Sequence, residues 1–133
     1  MQRSEARAFV LTALYRREFL DTPLAEMIED SEESLGDQAS YVEATFDGVL
    51  AHRDELDRML GERTVGWRFE RLAVLDRNIL RLGAYELLYS DDVPGEVALN
   101  EAVELAKTYG TEQARSFVNG ILDRIWKEHR AGD

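Results

Sequence analysis

The stretch WRFERLAVLDRNILRLGAYELLYSDDVP, residues 67–94, carries the pattern that decides the fold. Its apolar residues recur three and four positions apart and cover more than one face of a helix. They are Leu72, Leu75, Ile79, Leu80, Leu82, Leu87 and Leu88. A helix that is apolar on several sides is typically surrounded by other elements. The stretch therefore predicts a central helix, followed by a turn at residues 91–95.

The same helical periodicity continues on both sides of this stretch, and no strand-like alternation is sustained. The predicted helices cover residues 4–20, 23–29, 41–60, 72–88, 99–109 and 114–126. Pro23 suits a first helical turn, while Gly61 and Gly110 suit helix ends. Because the connections are short and no internal repeat divides the chain, we expect one all-α domain over residues 1–133.

The composition is typical of a folded domain that needs no covalent or metal support. The chain has 133 residues, of which 44% are apolar and 32% are charged, and it has no cysteine. Absence of cysteine excludes disulfide frameworks, thiolate metal sites and cysteine nucleophiles. No segment approaches the ~18 apolar residues of a membrane span, and residues 8–15 are too short and wrongly flanked for a signal peptide. We therefore expect a cytoplasmic protein that does not enter membranes.

The net charge of −11 is unevenly distributed along the chain. Residues 1–20 hold four arginines and two acidic residues, whereas residues 21–62 hold two arginines and thirteen acidic residues. The acidic segment is typical of a solvated helix face. A polyanion would be repelled by the chain as a whole, so only the N-terminal segment offers it a positive surface. There Arg3 and Arg7 are neighbours on one helix face, which is the one basic cluster that this sequence offers to a nucleic acid.

The sequence contains no recognisable arrangement of catalytic residues. Nucleophilic catalysis needs a base within reach of the nucleophile, and we expect both His52 and His129 to be solvated on polar helix faces. The nine glycines are scattered and form no phosphate-binding loop. Glu101 and Glu104 have the i, i+3 spacing of a carboxylate metal site, but no histidine joins them. We therefore expect no enzyme activity, no metal and no cofactor.

Several polar residues interrupt apolar helical patterns. They are Arg81, Glu86, Asn100, Glu101 and Asn119. Polar groups buried in a helical core must be paired, since an unpaired group loses its hydration without compensation. We therefore expect these five residues to bridge helices and to fix their register.

Three segments resemble the NusB family of bacterial transcription antitermination factors. They are ARAFVLTALYRRE at residues 6–18, the stretch at residues 67–94, and LNEAVELAKTYGTEQARSFVNGILDRI at residues 99–125. The last two are the specific ones, and they occur in the order and at the spacing found in the family. The resemblance implies an all-α fold of about six to seven helices in two packed bundles, without catalysis.

The resemblance also implies a function, partners and site residues. The family binds the boxA element of nascent RNA together with the ribosomal protein NusE, and the complex supports transcription elongation through terminators in rRNA operons. On this basis Arg3, Arg7, Tyr15, Gln113 and Phe117 are expected to contact RNA. Asp76 matches an acidic position that faces NusE, and we expect it to be exposed at a rim.

Two alternatives stay open at this point. The chain could be a protein-only helical adaptor or a self-associating scaffold, since some similar proteins form homodimers that could occlude the RNA surface. Phe117 lies on an apolar stripe and Tyr15 could lie in the core with its hydroxyl at the rim, so either ring could serve packing instead of base stacking.

Overall fold

The computed structural model describes residues 1–131, in which seven α-helices and two short 3-10 helices form and no strand occurs. The α-helices are α1 (Arg3–Arg17), α2 (Leu24–Glu29), α3 (Ala39–Ala51), α4 (Arg53–Arg63), α5 (Val74–Tyr89), α6 (Gly95–Tyr109) and α7 (Ala114–Ala131). The 3-10 helices are Gly36–Gln38 and Phe69–Arg71. The expected all-α fold is confirmed. None of the described helices is long and apolar enough to cross a membrane.

Helix α5 is the central element, as its apolar pattern predicts. On one side it packs with α1, α3 and α4, and on the other with α6 and α7, so that two helical bundles share it. Ile79 and Leu80 are completely buried. Gly83 is required by close packing, because a Cβ atom there would lie 2.6 Å from the side chain of Leu122 on α7.

The predicted helix over residues 41–60 is two helices that meet at His52. This residue has φ −104° and ψ 12°, which ends α3 and redirects the chain into α4. The His52 ring stacks on Tyr89 of α5 with the ring centres 4.0 Å apart. The bend lets Leu56 and Leu60 enter the core. Because neither Gly nor Pro marks this bend, the apolar periodicity alone does not reveal it.

A buried ion pair joins α1 to α5. The Arg7 guanidinium donates hydrogen bonds of 2.7 and 3.1 Å to the two carboxylate oxygens of Glu86, and each residue is only 1% exposed. Tyr41 on α3 donates its hydroxyl to Glu86 over 3.0 Å, and Glu101 on α6 lies 3.3 Å from Arg7. Burial raises the pKa of Tyr41, and the charge of Glu86 raises it further. This cluster therefore connects four helices.

A second polar cluster surrounds Arg81 on α5. Its guanidinium donates hydrogen bonds to both carboxylate oxygens of Asp57 on α4, over 2.6 and 2.9 Å, and to Glu18 after α1 over 2.6 Å. Partial burial raises the pKa of Glu18, but the hydrogen bond from Arg81 and the charges of Arg53 and Arg81 outweigh it and hold this pKa below its usual value. The cluster ties the end of α1 and the start of α4 to α5.

The other polar residues expected to bridge helices behave differently from one another. Glu101 is half-buried, contacts Arg7 and accepts a hydrogen bond of 2.7 Å from the hydroxyl of Ser4. Asn100 and Asn119 are exposed, so the expectation that they bridge helices is wrong. Asn100 follows the buried Leu99 and Asn119 follows the buried Val118, and each asparagine lies on the solvent side of its helix.

The Arg7–Glu86 pair gives a first prediction. Replacing Arg7 by Ala should lower the free energy of unfolding by about 3–5 kcal/mol, because Glu86 would remain buried without its partner. Urea denaturation measures this loss. Arg16→Ala is the matched control, because the Arg16 side chain is 41% exposed and its ion pair with Asp30 is long, at 4.0 Å. This substitution should cost at most about 1 kcal/mol. Equal losses in the two variants would contradict a stabilising role for the buried pair.

The lowered pKa of Glu18 gives a second prediction. A carboxylate whose pKa is lower in the folded state stabilises the fold above the unfolded-state pKa, and this stabilisation is lost as the pH falls through the folded-state pKa. The free energy of unfolding should therefore fall on acidification below about pH 5, and the fall should be shallower in Glu18→Gln. The exposed Glu33→Gln is the control and should follow the wild-type curve. Identical pH curves for Glu18→Gln and wild type would rule out this contribution.

Candidate nucleic-acid interface

Exposed aromatic rings gather where the end of α1 meets the start of α5 and the turn between α6 and α7. Tyr15 and Tyr109 line one open depression of about 300 Å³, together with residues 73–76 and residues 110–111. Tyr15 is 40% exposed, and its ring makes an edge contact with Phe19 at 5.1 Å between centres. Leu14 beside it is buried, so the backbone that carries Tyr15 is fixed while its ring stays accessible.

The start of α7 adds a second aromatic group. Phe117 is half-buried against the core and packs on Trp67, with the ring centres 5.5 Å apart and the planes tilted by 44°. Gln113 lies exposed in the turn before α7, where its carbonyl accepts a hydrogen bond of 2.7 Å from the hydroxyl of Ser116. The side chain of Gln113 is thus open to solvent. The Phe117 ring packs against the core and is still partly exposed, so its role in base stacking stays a prediction.

Arg3 is exposed, but it lies at the opposite end of α1 from Tyr15. Twelve residues of helix separate the two positions, which corresponds to about 18 Å. The Arg3 guanidinium donates a hydrogen bond of 2.6 Å to the side chain of Gln38 and lies 4.1 Å from the ring centre of Tyr41. The structure therefore brings Tyr15 near the start of α7 but does not bring Arg3 there.

The expectation that Arg7 contacts RNA is wrong. Its guanidinium is buried in the pair with Glu86, so no phosphate can reach it. The i, i+4 spacing from Arg3 holds, but Arg3 occupies the first turn of α1, where the helix still projects into solvent. The sequence does contain a signal for the burial of Arg7. Arg7 lies three and seven positions before the apolar Val10 and Leu14, so all three share one helix face. Glu86 lies in the most apolar helix and therefore requires a cationic partner.

The expectation that Asp76 is exposed at a rim is also wrong. Asp76 is 2% exposed, and its carboxylate accepts hydrogen bonds from the backbone N–H and the hydroxyl of Thr111, over 3.1 and 2.7 Å. The Thr111 hydroxyl in turn accepts a hydrogen bond of 3.3 Å from the N–H of Ala114 at the first turn of α7. Asp76 therefore locks the α6–α7 turn onto the start of α5 and supports the depression from below.

Acidic side chains lie next to the depression that Tyr15 and Tyr109 line. Glu5, Glu32 and Glu33 line a second open depression, of about 490 Å³, which shares Tyr109 with the first. The acidic segment at residues 21–62 thus lies next to this depression without covering Tyr15. Within residues 1–131, no group of three or more acidic or histidine side chains is arranged to hold a metal ion.

Sequence reasoning missed Tyr109 and Trp67. Tyr109 ends the apolar stripe of α6, and this position gives no sign that its ring remains partly exposed. Trp67 follows Gly66 in the connection between α4 and α5 and has arginines at positions 68 and 71. A tryptophan among arginines in a connection is a signal that could have been used, because buried tryptophans belong to apolar patterns and this one does not.

Comparisons with known proteins identify the relatives of this chain. The sequence model of the NusB family matches residues 4–127. The transcription antitermination protein NusB of Bacillus subtilis is 43% identical over 126 residues, which cover 94% of this chain and 95% of that protein. A structure of T. maritima NusB has a TM-score of 0.86 and 39% identity, covering 97% of this chain and 93% of that chain.

A further solved structure contains antitermination factors NusB and NusE in complex with dsRNA. The matching chain has a TM-score of 0.81 and 28% identity, and the match covers 96% of this chain and 99% of that chain. The likeness therefore extends over nearly the full length of both molecules.

The role of Asp76 gives a third prediction. Asp76→Ala should lower the free energy of unfolding by about 1–3 kcal/mol, because the N–H and hydroxyl of Thr111 lose their acceptor. Thr111→Val should cost less, and the double variant should lose less than the sum of the two single losses. Thermal and urea unfolding measure these values, with the exposed Asp91→Ala as a control that stays within about 0.5 kcal/mol of wild type. Strict additivity of the two losses would show that the carboxylate does not act through the hydroxyl of Thr111, because valine keeps the backbone N–H.

Proposed function

This chain belongs to the NusB family, and we propose that it acts as an RNA-binding transcription antitermination factor together with the ribosomal protein NusE. In this role it binds boxA-type single-stranded RNA in the cytoplasm and helps the transcription elongation complex to pass terminators in rRNA operons. It acts by binding and not by catalysis. The single cluster of buried side chains that all seven helices share supports residues 1–133 working as one domain.

The observation that carries this proposal is the exposed Tyr15 ring beside the start of α7. Single-stranded RNA is commonly held by stacking its unpaired bases on aromatic side chains and by hydrogen bonds to the base edges. The exposed ring of Tyr15 lines a depression whose other lining residues include Asp76 and Thr111. The hydrogen bond between these two residues holds the start of α5 and the α6–α7 turn together beneath the ring. Gln113 has an accessible amide for a base edge, and Phe117 lies one helical turn further along α7.

The charge distribution explains why a partner is needed. RNA phosphates require cations, and this chain carries a net charge of −11. The N-terminal segment offers less positive surface than its composition indicates, because Arg7 is neutralised in the core. A basic ribosomal protein would be attracted by the acidic segment at residues 21–62 and would add the positive potential that RNA needs. We therefore propose that NusE strengthens RNA binding substantially.

One observation favours the alternative of a protein-only adaptor or a homodimer. Phe19 and Leu20, directly after α1, are both more than half exposed and lie next to Tyr15. Neighbouring exposed apolar side chains are typical of surfaces that bind other proteins. If that surface served only NusE or a second copy of the chain, the Tyr15 ring would be covered by protein and RNA binding would not depend on it.

RNA binding by the complex with NusE gives a fourth prediction. The affinity for a boxA-like single strand should fall with salt by a log–log slope of about −0.7 for each neutralised phosphate. Tyr15→Leu and Phe117→Leu should each weaken binding by about 1–3 kcal/mol without changing this slope, because they remove a ring and no charge. Arg3→Gln should flatten the slope by about 0.7 if Arg3 holds a phosphate. Fluorescence anisotropy at several salt concentrations measures all three effects.

The controls separate this proposal from the adaptor alternative. Trp126→Leu removes a ring from α7 nine residues beyond Phe117, about 13 Å along the helix, and should leave RNA affinity unchanged. A scrambled single strand and a duplex of the same sequence test what kind of RNA is bound. A complex that forms normally with NusE but binds no RNA, or binds it equally well after Tyr15→Leu and Phe117→Leu, would favour the adaptor.

A further inference from the structure

The connection between α4 and α5, residues 64–73, presents an exposed ring and two exposed arginines that the proposed site does not include. Trp67 is 43% exposed, and Arg68 and Arg71 are exposed beside it. We propose that this connection is an additional single-stranded RNA site, in which Trp67 stacks on a base while Arg68 and Arg71 hold neighbouring phosphates. The inference rests on the proposed function and extends the RNA path beyond Tyr15 and Phe117.

The first support is the geometry of the rings. Trp67 packs on Phe117 at 5.5 Å between ring centres, and Phe117 is itself packed against the core. One side of the indole is therefore supported by the folded domain while the remainder faces solvent. A ring held in this way offers a base a stacking surface that is already ordered, so binding loses little side-chain entropy.

The second support is unneutralised positive charge. Among residues 1–131, neither Arg68 nor Arg71 has a carboxylate oxygen within 4.0 Å, whereas Arg63 pairs with Glu128 and Arg81 with Asp57. Residues 63–77 hold four arginines and two acidic residues, and one of these acids, Asp76, is committed to Thr111. In an acidic chain, a polyanion is attracted where the local charge reverses.

The third support is that the connection is fixed in shape. Gly66 has φ +80°, a backbone conformation that glycine adopts without strain. The N–H of Trp67 donates a hydrogen bond of 3.2 Å to the carbonyl of Thr64. Arg77 on α5 donates hydrogen bonds of 2.8 and 3.2 Å to the carbonyls of Glu70 and Leu72. Trp67 and the two arginines are thus presented by a loop that is tied at both ends.

Position and charge together favour RNA over a protein as the occupant. Ala73 and Val74, at the end of the connection, line the same depression as Tyr15, so the connection that carries Trp67 leads directly into that depression. A basic ribosomal protein would meet like charge at Arg68 and Arg71, which disfavours contact there. RNA phosphates would meet opposite charge at the same two side chains.

The most direct test observes Trp67 itself. The chain has two tryptophans, Trp67 and Trp126, so growth with 5-fluorotryptophan gives two ¹⁹F resonances, which Trp126→Phe assigns. The labelled chain is mixed with unlabelled NusE, and a boxA-like single strand with several extra nucleotides on each side is then added. RNA should shift the Trp67 resonance and leave that of Trp126 in place. A Trp67 resonance that NusE shifts and RNA does not would overturn the inference in favour of a protein contact.

Variants measure the contribution of each group to RNA binding by the complex. Trp67→Leu should raise the Kd about tenfold without changing the salt slope. Arg68→Gln combined with Arg71→Gln should flatten the slope by about 1.4. The matched controls are Val65→Ala, an exposed apolar change in the same connection, and Arg58→Gln, an exposed arginine on α4. Both controls should bind within about twofold of wild type, and circular dichroism should show that every variant folds.

The possible outcomes distinguish this inference from the proposed function. If wild type binds RNA and depends on Tyr15, while the Trp67 and arginine variants bind as wild type does, the inference alone is overturned. If the wild-type complex binds no single strand, the proposed function fails and the inference fails with it. Weaker binding by the Trp67 and arginine variants, with unchanged binding by both controls, supports both.

Discussion

A guanidinium group that is removed from water needs a carboxylate beside it, and most of this architecture is organised around that requirement at Arg7. Glu86 supplies the carboxylate from the central helix, while Tyr41 and Glu101 reach the same pair from α3 and α6. The position of α1 in the domain is therefore set by a polar contact with strict geometry, in addition to the burial of its apolar face. Since Tyr15 is carried by the same helix, this contact also determines where the exposed ring stands relative to α5.

The two misjudged acidic and basic residues show how this domain divides its charges. Arg7 and Asp76 were expected at the surface, but both are buried. Arg7 pairs with Glu86 and so holds α1 on α5, and Asp76 binds Thr111 and so holds the α6–α7 turn on α5. What remains at the candidate interface is mainly aromatic, with cations in the α4–α5 connection. Recognition of RNA would thus rely on stacking by this chain, with additional positive charge supplied by a partner. In the proposed function, the acidic segment would attract the partner and not the nucleic acid.

Helix positions and the central role of α5 followed from periodicity, because apolar residues at positions such as Ile79 and Leu80 report burial directly. The bend at His52 did not, since it depends on a stacking partner, Tyr89, that lies 37 positions further along the chain. The roles of Tyr15, Gln113 and Phe117 in RNA binding come from the resemblance and stay predictions, while the structure describes how accessible each side chain is. Arg7 and Asp76 could not be placed from a residue pattern alone, because whether a charged side chain is buried depends on what lies opposite it in space.

The distance along the chain between Arg7 and Glu86 has a consequence for biosynthesis. The two partners are 79 positions apart, so α1 leaves the ribosome long before the carboxylate that its arginine requires has been made. Until α5 emerges, docking α1 would leave the guanidinium without its counter-ion, and the apolar face of that helix has no completed core to join. Helix α1 therefore cannot take its final place before α5 has been made, and the Tyr15 surface, which also needs Tyr109 and Thr111, is complete only after more than four-fifths of these 133 residues have been translated.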